Sequence, residues 1–445
     1  LRKYDVIIVG AGPAGIFAAL ELAGRARVLL IDRGRDIAER ERKDLFSGFG
    51  GAGAFSDGKL NLTGEVGGYL NQYVGGGALA SLIDRVDSVF LSAGAPEGLK
   101  GTDNNKINEV RDLASKSGLR LINFPIRHLG TDRCVEVLKN LRAVLEAKVD
   151  LAFSTDVVSV MKSDGRVSGV VTEKGEAISA DYVILAPGRV GAGWLHGLSR
   201  DMGLKTASNQ VDIGVRVEVP AAVLADVTDV LHEAKFVYDS KRFDDRVRTF
   251  CMNPYGVVVE ERHADFSTVN GHSYSTRKSE NTNFAVLVST SFTEPFDEPI
   301  KYGEYIARLA NLLGEGIIVQ RLGDLEAGRR STRERLAKCP VRATLAAATP
   351  GDLSFAVPYR YITDVLEMLH ALDAVAPGVA SPSTLLYGVE VKFYSMRLKL
   401  TAGLETDVRN LFAVGDGAGV TRGIVQAAAS GLIASKEILK RAGAR

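Results

Sequence analysis

The chain has 445 residues, of which 46% are hydrophobic and 24% charged, and its formal net charge is +1. That balance is ordinary for a globular protein and offers no broad electrostatic footprint for nucleic acid or an anionic membrane. Its 47 glycines fall in clusters rather than in a repeat, which argues for many close backbone approaches and against a collagen-like or disordered chain.

Three cysteines, Cys134, Cys251 and Cys339, stand far apart with no C-x-x-C. A disulfide framework or cysteine metal site is therefore not expected, and a reducing cytoplasm is. No apolar run approaches the ~18–20 residues that span a bilayer. The chain opens almost at once on a strand, so no signal peptide is expected.

In chain order, "YDVIIVG" (4–10) is an apolar, β-branched run suited to a buried parallel strand. "AGPAGIFAALELAG" (11–24) switches to helical spacing, with Pro13 in the first turn, where its missing N–H costs nothing. "ARVLLID" (26–32) is a second buried strand, completing a βαβ unit. Between the first strand and the helix lies Gly10-x-Gly12-x-x-Gly15. In this pattern Gly10 permits a tight turn, Gly12 lets a pyrophosphate approach the backbone, and Gly15 lets the helix pack on the strand. Pro13 and Ala14 then sit at a helix N-terminus facing the phosphates. Asp32 ends the second strand about 20 residues on, where an acid accepts ribose hydroxyls, with Arg33 beside it.

A charged stretch leads into "SGFGGAGAFSDGKL" (47–60). Its G-A-F-S-D-G-K-L nearly matches a triphosphatase phosphate loop, G-x-x-x-x-G-K-[ST]. Leu60, however, stands where Ser or Thr must hold Mg²⁺, and no buried strand precedes the loop. "INEVRDLASKSG" and "RCVEVLKNLRAVLEA" read as amphipathic helices. "VVSVMKS", "RVSGVVTE" and "AISADYVILA" read as a meander with turns at "DG" (164–165) and "KG" (174–175). "DYVILAPG" (181–188) ends in a small-residue turn at Ala186 and Gly188 and fits a strand passing beside a cofactor. Residues 191–390 mix strands, loops and helices without a second nucleotide fingerprint.

Near the C-terminus, "LFAVGDGAG" (411–419) delivers Asp416 at a strand end, after Gly415. "TRGIVQAAASG" then opens a helix rich in small residues, starting near Gly423, Ile424 and Val425. A flavin needs this arrangement, because its N1–C2=O edge gains negative charge on reduction and a helix N-terminus stabilises that charge.

The G-A-G-P-A-G with Asp32, the A-P-G turn after a meander and the late G-D-G resemble the two-dinucleotide-binding-domain flavoproteins of the glutathione reductase superfamily. More closely, "GGAGAFSDGKL", "RHLGTDR", "VDIGVRVEVP", "NGHSYS", "YGVEVK" and "GIVQAAASG" resemble a family of bacterial and archaeal FAD-dependent dehydrogenases. The resemblance covers nearly the whole chain; several longer members carry an extra N-terminal domain, which is not expected here. It implies that the loop after the second strand runs along the pyrophosphate and under the isoalloxazine. Gly50, Gly51 and Gly53 then lie close to the ring, and Ser56, Asp57 and Lys59 near its reactive face.

His272, in "NGHSYS" with Tyr274, is a candidate for the substrate cavity, against the plainer reading of a hydrogen-bonded loop histidine. Arg216, in "GVRVEV", is a candidate clamp for a substrate carboxylate, against a sheet-surface ion pair. Cys251 reads as a buried structural thiol. "GRRSTRER" (328–335) is the one dense basic run, a solvated helix face or a site for a phosphate-bearing substrate or acidic protein.

The expected fold is α/β. A Rossmann-like FAD-binding domain with a parallel sheet and β-meander gathers 1–75, 145–190 and 391–445. A helical and loop segment covers 76–144, and an inserted mixed α+β substrate domain covers 191–390. The expected activity is that of an FAD-dependent oxidoreductase acting on a small organic substrate. Lys59, His272 and Arg216 are its catalytic candidates, and NADH, NADPH or a ferredoxin-like partner its electron donor. Alternatives are an FAD monooxygenase using NAD(P)H and oxygen, and an RNA-modifying flavoprotein. The +1 charge argues against the last, so no nucleic acid partner and no membrane span are expected, while a homo-oligomer is admitted.

Overall fold

The computed structural model describes residues 3–443 except 42, 43, 45, 57, 208, 264, 274–277, 293, 294, 297 and 395, and except the side chains of 131 and 132. The chain divides into two compact units, one of Leu1–Leu99, Phe124–Asn209 and Ser395–Arg445, the other of Lys100–Asn123 and Gln210–Tyr394.

The first unit is built on a seven-stranded sheet. The strand Lys3–Val9 pairs in parallel with Val28–Ile31 on one side and with Ala177–Leu185 on the other. Asp150–Ala152 extends the parallel region beyond Val28–Ile31, and Leu411–Ala413 joins Ala177–Leu185 in the same sense. Both faces of this region are covered, so its strands carry apolar side chains at nearly every position rather than alternately. Ile8, Leu30, Ile184 and Phe412 pack with the helices Pro13–Leu22 and Ile424–Gly443, while Ile7, Leu29, Val183 and Leu411 pack on the opposite face. The two helices lie in intimate contact, since a Cβ built at Gly431 would fall 2.1 Å from the carbonyl oxygen of Ala14.

The meander occurs where the turn chemistry placed it. Val157–Ser163 pairs antiparallel with Arg166–Thr172, and that strand with Ala177–Leu185. Asp164 (φ 53°) and Gly165 (φ 74°) make the first turn in left-handed conformation, as a two-residue hairpin demands. The inserted unit begins later than residue 191. The helix Ala192–Met202 stays with the first unit because Leu195 and Leu198, with Leu204 after it, fill one of its cores. Part of the 76–144 segment also moves. Leu119–Ile122 pairs with Lys235–Asp239 and so takes residues 100–123 into the second unit.

The second unit holds an eight-stranded sheet, antiparallel but for its first pair. In order across the sheet the strands are Thr349–Pro350, Ile318–Arg321, Leu385–Lys392, Val211–Pro220, Asn281–Thr290, Arg246–Asn253, Lys235–Asp239 and Leu119–Ile122. In the central strand Val211, Ile213, Val215, Val217 and Val219 enter the main apolar cluster. Strict alternation puts Asp212, Arg216 and Glu218 on the other face, and all three are fully buried.

Asp364, on the helix Tyr359–Asp373, is also fully buried, with Ser240 and the carboxylate of Asp245 as its polar neighbours. Burial, reinforced by the charge of Asp245, pushes its pKa up to about 6. A folded-state pKa above the unfolded value means that the folded chain holds the proton more tightly. This group therefore lowers stability as pH rises from about 4 to about 6, by roughly 3 kcal/mol at most. Asp364→Asn should flatten that part of the profile in urea unfolding. An unchanged slope between parent and variant would show that Asp364 is not the group responsible.

Candidate functional site

The site in the first unit starts from the turn after the strand Lys3–Val9. Gly10 has φ +109°, and a Cβ there would lie 2.1 Å from the Ala186 carbonyl oxygen; at Gly15 it would lie 1.8 Å from the Gly10 oxygen. Both positions are closed to any side chain by the fold itself. Gly12 differs. It caps the helix Pro13–Leu22 with φ −76°, a conformation open to any residue. A Cβ there would meet nothing nearer than the Gly51 Cα at 3.9 Å. The helix has no acid in its first turn and no side-chain cap, so its N-terminal N–H groups are left for an anion.

Asp32 serves chiefly as a clamp. Its carboxylate is 8% exposed and accepts the N–H groups of Ala11 (2.7 Å), Gly34 (2.7 Å) and Gly48 (2.8 Å). Three of roughly four acceptor positions on a carboxylate are thus taken by backbone. One carboxylate ties the Gly10–Gly12 turn to the loop that follows the second strand, and Arg33 beside it is exposed. That loop folds back on the turn. Gly50 N–H donates to the Ala11 carbonyl at 2.8 Å, and a Cβ on Gly51 would come within 3.1 Å of the Gly12 Cα. Gly53 lies against Ile424. The Ser56 hydroxyl donates to the Gly53 carbonyl (2.9 Å) and accepts the Gly58 N–H (3.2 Å). Lys59 opens the short strand Lys59–Asn61, half-buried and opposite His128. Asp57 and Tyr274 lie outside the described residues.

From the far end of the chain, Gly415 (φ +76°) donates its N–H to the Ser430 hydroxyl at 3.0 Å. Asp416 accepts the Thr421 hydroxyl at 2.7 Å and pairs with Arg189 at 3.2 Å. Gly188 sits against Gly417, and Ala186 N–H donates to the Val9 carbonyl at 2.7 Å. Gly423, Ile424 and Val425 form the start of the last helix, close to the loop at Gly67 and Gly53. Gly10, Gly12, Asp32, Gly50, Gly53, Ala186, Asp416 and Ile424 all belong to the first unit, at or beside the carboxyl ends of its parallel strands.

Two residues of this site escaped the sequence reading. Arg40 is 8% exposed. It donates to the carbonyls of Phe49 (2.6 Å), Gly51 (3.0 Å) and Asp44 (2.6 Å), and its Nε has no partner among the described residues. Burial lowers its pKa, against the charges of Asp32 and Asp44. Gln426 is 2% exposed. Its amide nitrogen holds the Gly64 and Val66 carbonyls at 3.3 and 2.7 Å, and its Oε1 has no partner among the described residues. Arg40 is one cation in a run full of charges, and nothing local marks which of them turns inward.

The second unit corrects the reading of Arg216. The side chain is fully buried, and all five guanidinium N–H donors are spent inside the protein. Nε and Nη2 grip Glu390 at 2.7 Å each, Nη1 reaches the Cys251 carbonyl (2.9 Å) and Asn283 (3.0 Å), and Nη2 also reaches Asn270 (3.3 Å). Arg216 does clamp a carboxylate, but one of the chain's own, and in the core rather than on a sheet surface. Lys392 approaches the same carboxylate at 3.1 Å. Burial alone would raise the Glu390 pKa, yet Arg216 and Lys392 hold it below its ordinary value. His272 ends the strand Ser267–His272 opposite Val257 and is exposed. It therefore belongs to a different unit from Lys59. Cys134 and Cys339 are buried and Cys251 half-buried, all as free thiols.

Among the described residues no helix is long and apolar enough to cross a membrane, and no three His, Cys, Asp or Glu side chains stand together as a metal site. Residues 3–46 match a family model described as an FAD binding domain, and residues 210–393 match one described as FAD-dependent protein, C-terminal domain-like. An uncharacterized protein of Clostridium beijerinckii is 29% identical over 99% of this chain and 81% of its own length. The tRNA uridine 5-carboxymethylaminomethyl modification enzyme MnmG of Treponema denticola is 29% identical over 42% of this chain and 25% of its own length. Among solved structures, 3-ketosteroid-delta4-(5alpha)-dehydrogenase from Rhodococcus jostii aligns with TM-score 0.46 and 15% identity over 98% of this chain and 97% of that one. Glycine oxidase from Geobacillus kaustophilus aligns with TM-score 0.40 and 14% identity over 99% and 95%. The chain is an FAD-dependent protein with an α/β flavoprotein fold, and its FAD-binding domain begins at the first strand.

Proposed function

We propose that this protein is an FAD-dependent oxidoreductase acting on a small organic substrate, by dehydrogenation or by reduction of an activated double bond. The observation that carries the reading is the space at Gly12, a helix N-terminus where the fold tolerates a Cβ but a pyrophosphate would not. FAD, when bound, supplies hydride chemistry through N5, and the protein supplies binding, orientation and electrostatics.

The residues divide that work. The N–H groups that follow Gly12 hold the pyrophosphate, and Asp32 fixes the turn that presents them. Arg40 places a buried positive charge behind Gly51. Asp416 and the start of the Ile424–Gly443 helix are the groups for the ribityl and ring end. Lys59 Nζ is the candidate proton carrier. NADH, NADPH or a ferredoxin-like protein is the candidate electron donor.

An anaerobic spectrum taken while adding NADH, then NADPH, then dithionite tests the donor. Rapid bleaching by a nicotinamide is expected, and bleaching by dithionite alone would remove the nicotinamides. With the donor known, Lys59→Met should keep its flavin and lose about tenfold or more in turnover. Unchanged turnover would remove Lys59 as proton carrier.

A further inference from the structure

We propose that the second unit carries a binding pocket for a phosphorylated small molecule, headed by the guanidinium groups of Arg333 and Arg342. Every residue in it belongs to that unit, so it stands independently of the flavin chemistry.

The pocket is an open cleft of about 820 Å³ lined by residues between 333 and 350 and by Val319. Small-molecule sites span roughly 300–1,000 Å³. Its wall is mixed: Val319, Leu336, Leu345 and a run of alanines line it, but polar groups, Arg333 and Arg342 among its residues, make most of the surface it presents. Val319 is fully packed, and Leu336 and Leu345 rest on the same buried cluster, which includes Val258, Ile317 and Tyr387.

The loop that forms the wall is fastened from beneath. Asn281 donates to the Arg342 carbonyl at 2.8 Å. Glu218, fully buried, accepts the Thr344 N–H at 3.2 Å and its hydroxyl at 2.5 Å. Buried polar groups thus set the backbone on which Arg342 stands, which is how a preorganised site differs from a loose surface loop.

Charge decides the ligand class. Residues 321–342 contain seven Lys and Arg against three carboxylates. Asp324 is committed to Arg329 (2.9 Å) and Arg335 (2.6 Å), with Arg321 at 3.9 Å, and Glu326 is committed to His370, while the exposed Glu334 feels the charges of Arg330 and Arg333 without an ion pair to either. Among the described residues Arg333 and Arg342 make no ion pair, and both side chains are exposed at the pocket. A single carboxylate would satisfy one guanidinium, whereas a phosphate dianion matches two, each in bidentate geometry. A cavity of about 820 Å³ is far larger than one phosphate, and Leu336 and Leu345 offer apolar contact, so the phosphate is expected to carry a polar organic body rather than to be the free ion.

Isothermal titration of the FAD-loaded full chain with 1-naphthyl phosphate tests this. One saturable site is expected, with a dissociation constant below about 1 mM. Inorganic phosphate and 2-naphthoate should each bind more weakly. Arg333→Gln with Arg342→Gln should weaken naphthyl phosphate at least about tenfold. Arg330→Gln, a basic neighbour that does not line the pocket, should change it less than about twofold. Should the double variant fail to fold, each single exposed variant carries the test, with a smaller loss. Absence of saturable binding, equal weakening by Arg330→Gln, or tighter binding of a polyglutamate peptide than of naphthyl phosphate would overturn the proposal.

Discussion

Gly12→Ala should fold as the parent does and lose FAD affinity on the order of 100-fold, or about 2.7 kcal/mol. The two halves of this result have separate causes. At Gly12 the backbone is in an ordinary region and a Cβ has 3.9 Å of clearance. The variant therefore gives up only the modest preference for glycine over alanine at a helix N-cap, about 1 kcal/mol or less. The same methyl projects into the space where the pyrophosphate would rest on the helix N-terminus. Gly15→Ala is the contrasting variant. Its Cβ would sit 1.8 Å from the Gly10 carbonyl oxygen, so it should lower the melting temperature of the flavin-free protein as well. Apo melting curves and flavin titrations on the two variants separate fold from ligand. Equal flavin binding by Gly12→Ala and parent would remove Gly12 from the site.

The second large effect is expected at Glu390. Glu390→Gln leaves the Arg216 guanidinium buried without its counter-charge, and unpairing a buried ion pair costs about 3–5 kcal/mol. Arg216 has no route to water, being fully buried under a shell of Cys251, Asn270 and Asn283. Lys392, 3.1 Å from Glu390 and 15% exposed, loses the nearer of its two carboxylates and keeps Glu261 at 3.8 Å. Removing both charges by Arg216→Met with Glu390→Leu should recover much of the loss, because desolvation offsets most of a buried pair's Coulombic gain. Urea unfolding followed by circular dichroism measures all three. A Glu390→Gln loss under about 1 kcal/mol would mean that water reaches the pair.

The contrast between Gly12 and Arg216 also shows what the sequence makes legible. The βαβ unit and the meander were readable because their information is local: β-branched runs, a proline at a helix start, and turn residues at 164–165. The close backbone approaches at Gly10 and Gly15 were readable because the spacing between a strand and a helix demands them. The loop clamp made by Asp32 was not readable. Its partners are backbone N–H groups of Ala11 and Gly48, 21 and 16 positions away, and backbone groups leave no trace in composition. Arg216 finds Glu390 across 174 positions, and only the register of two adjacent strands brings them together. Alternation along Val211–Pro220 did hold the clue that Arg216 faces away from the valines. What it could not tell is whether that second face meets solvent or a covering hairpin. Residues 100–123 were misplaced for the same reason, since Leu119–Ile122 finds its partner more than a hundred positions later.

Flavin retention tests the Gly12 site most directly. The purified chain should be mixed with excess FAD, desalted and scanned in the visible range beside the Gly12→Ala variant. A bound flavin spectrum close to one equivalent per chain is expected in the parent, and little in the variant. No retained flavin in a folded parent chain would contradict the FAD-binding site.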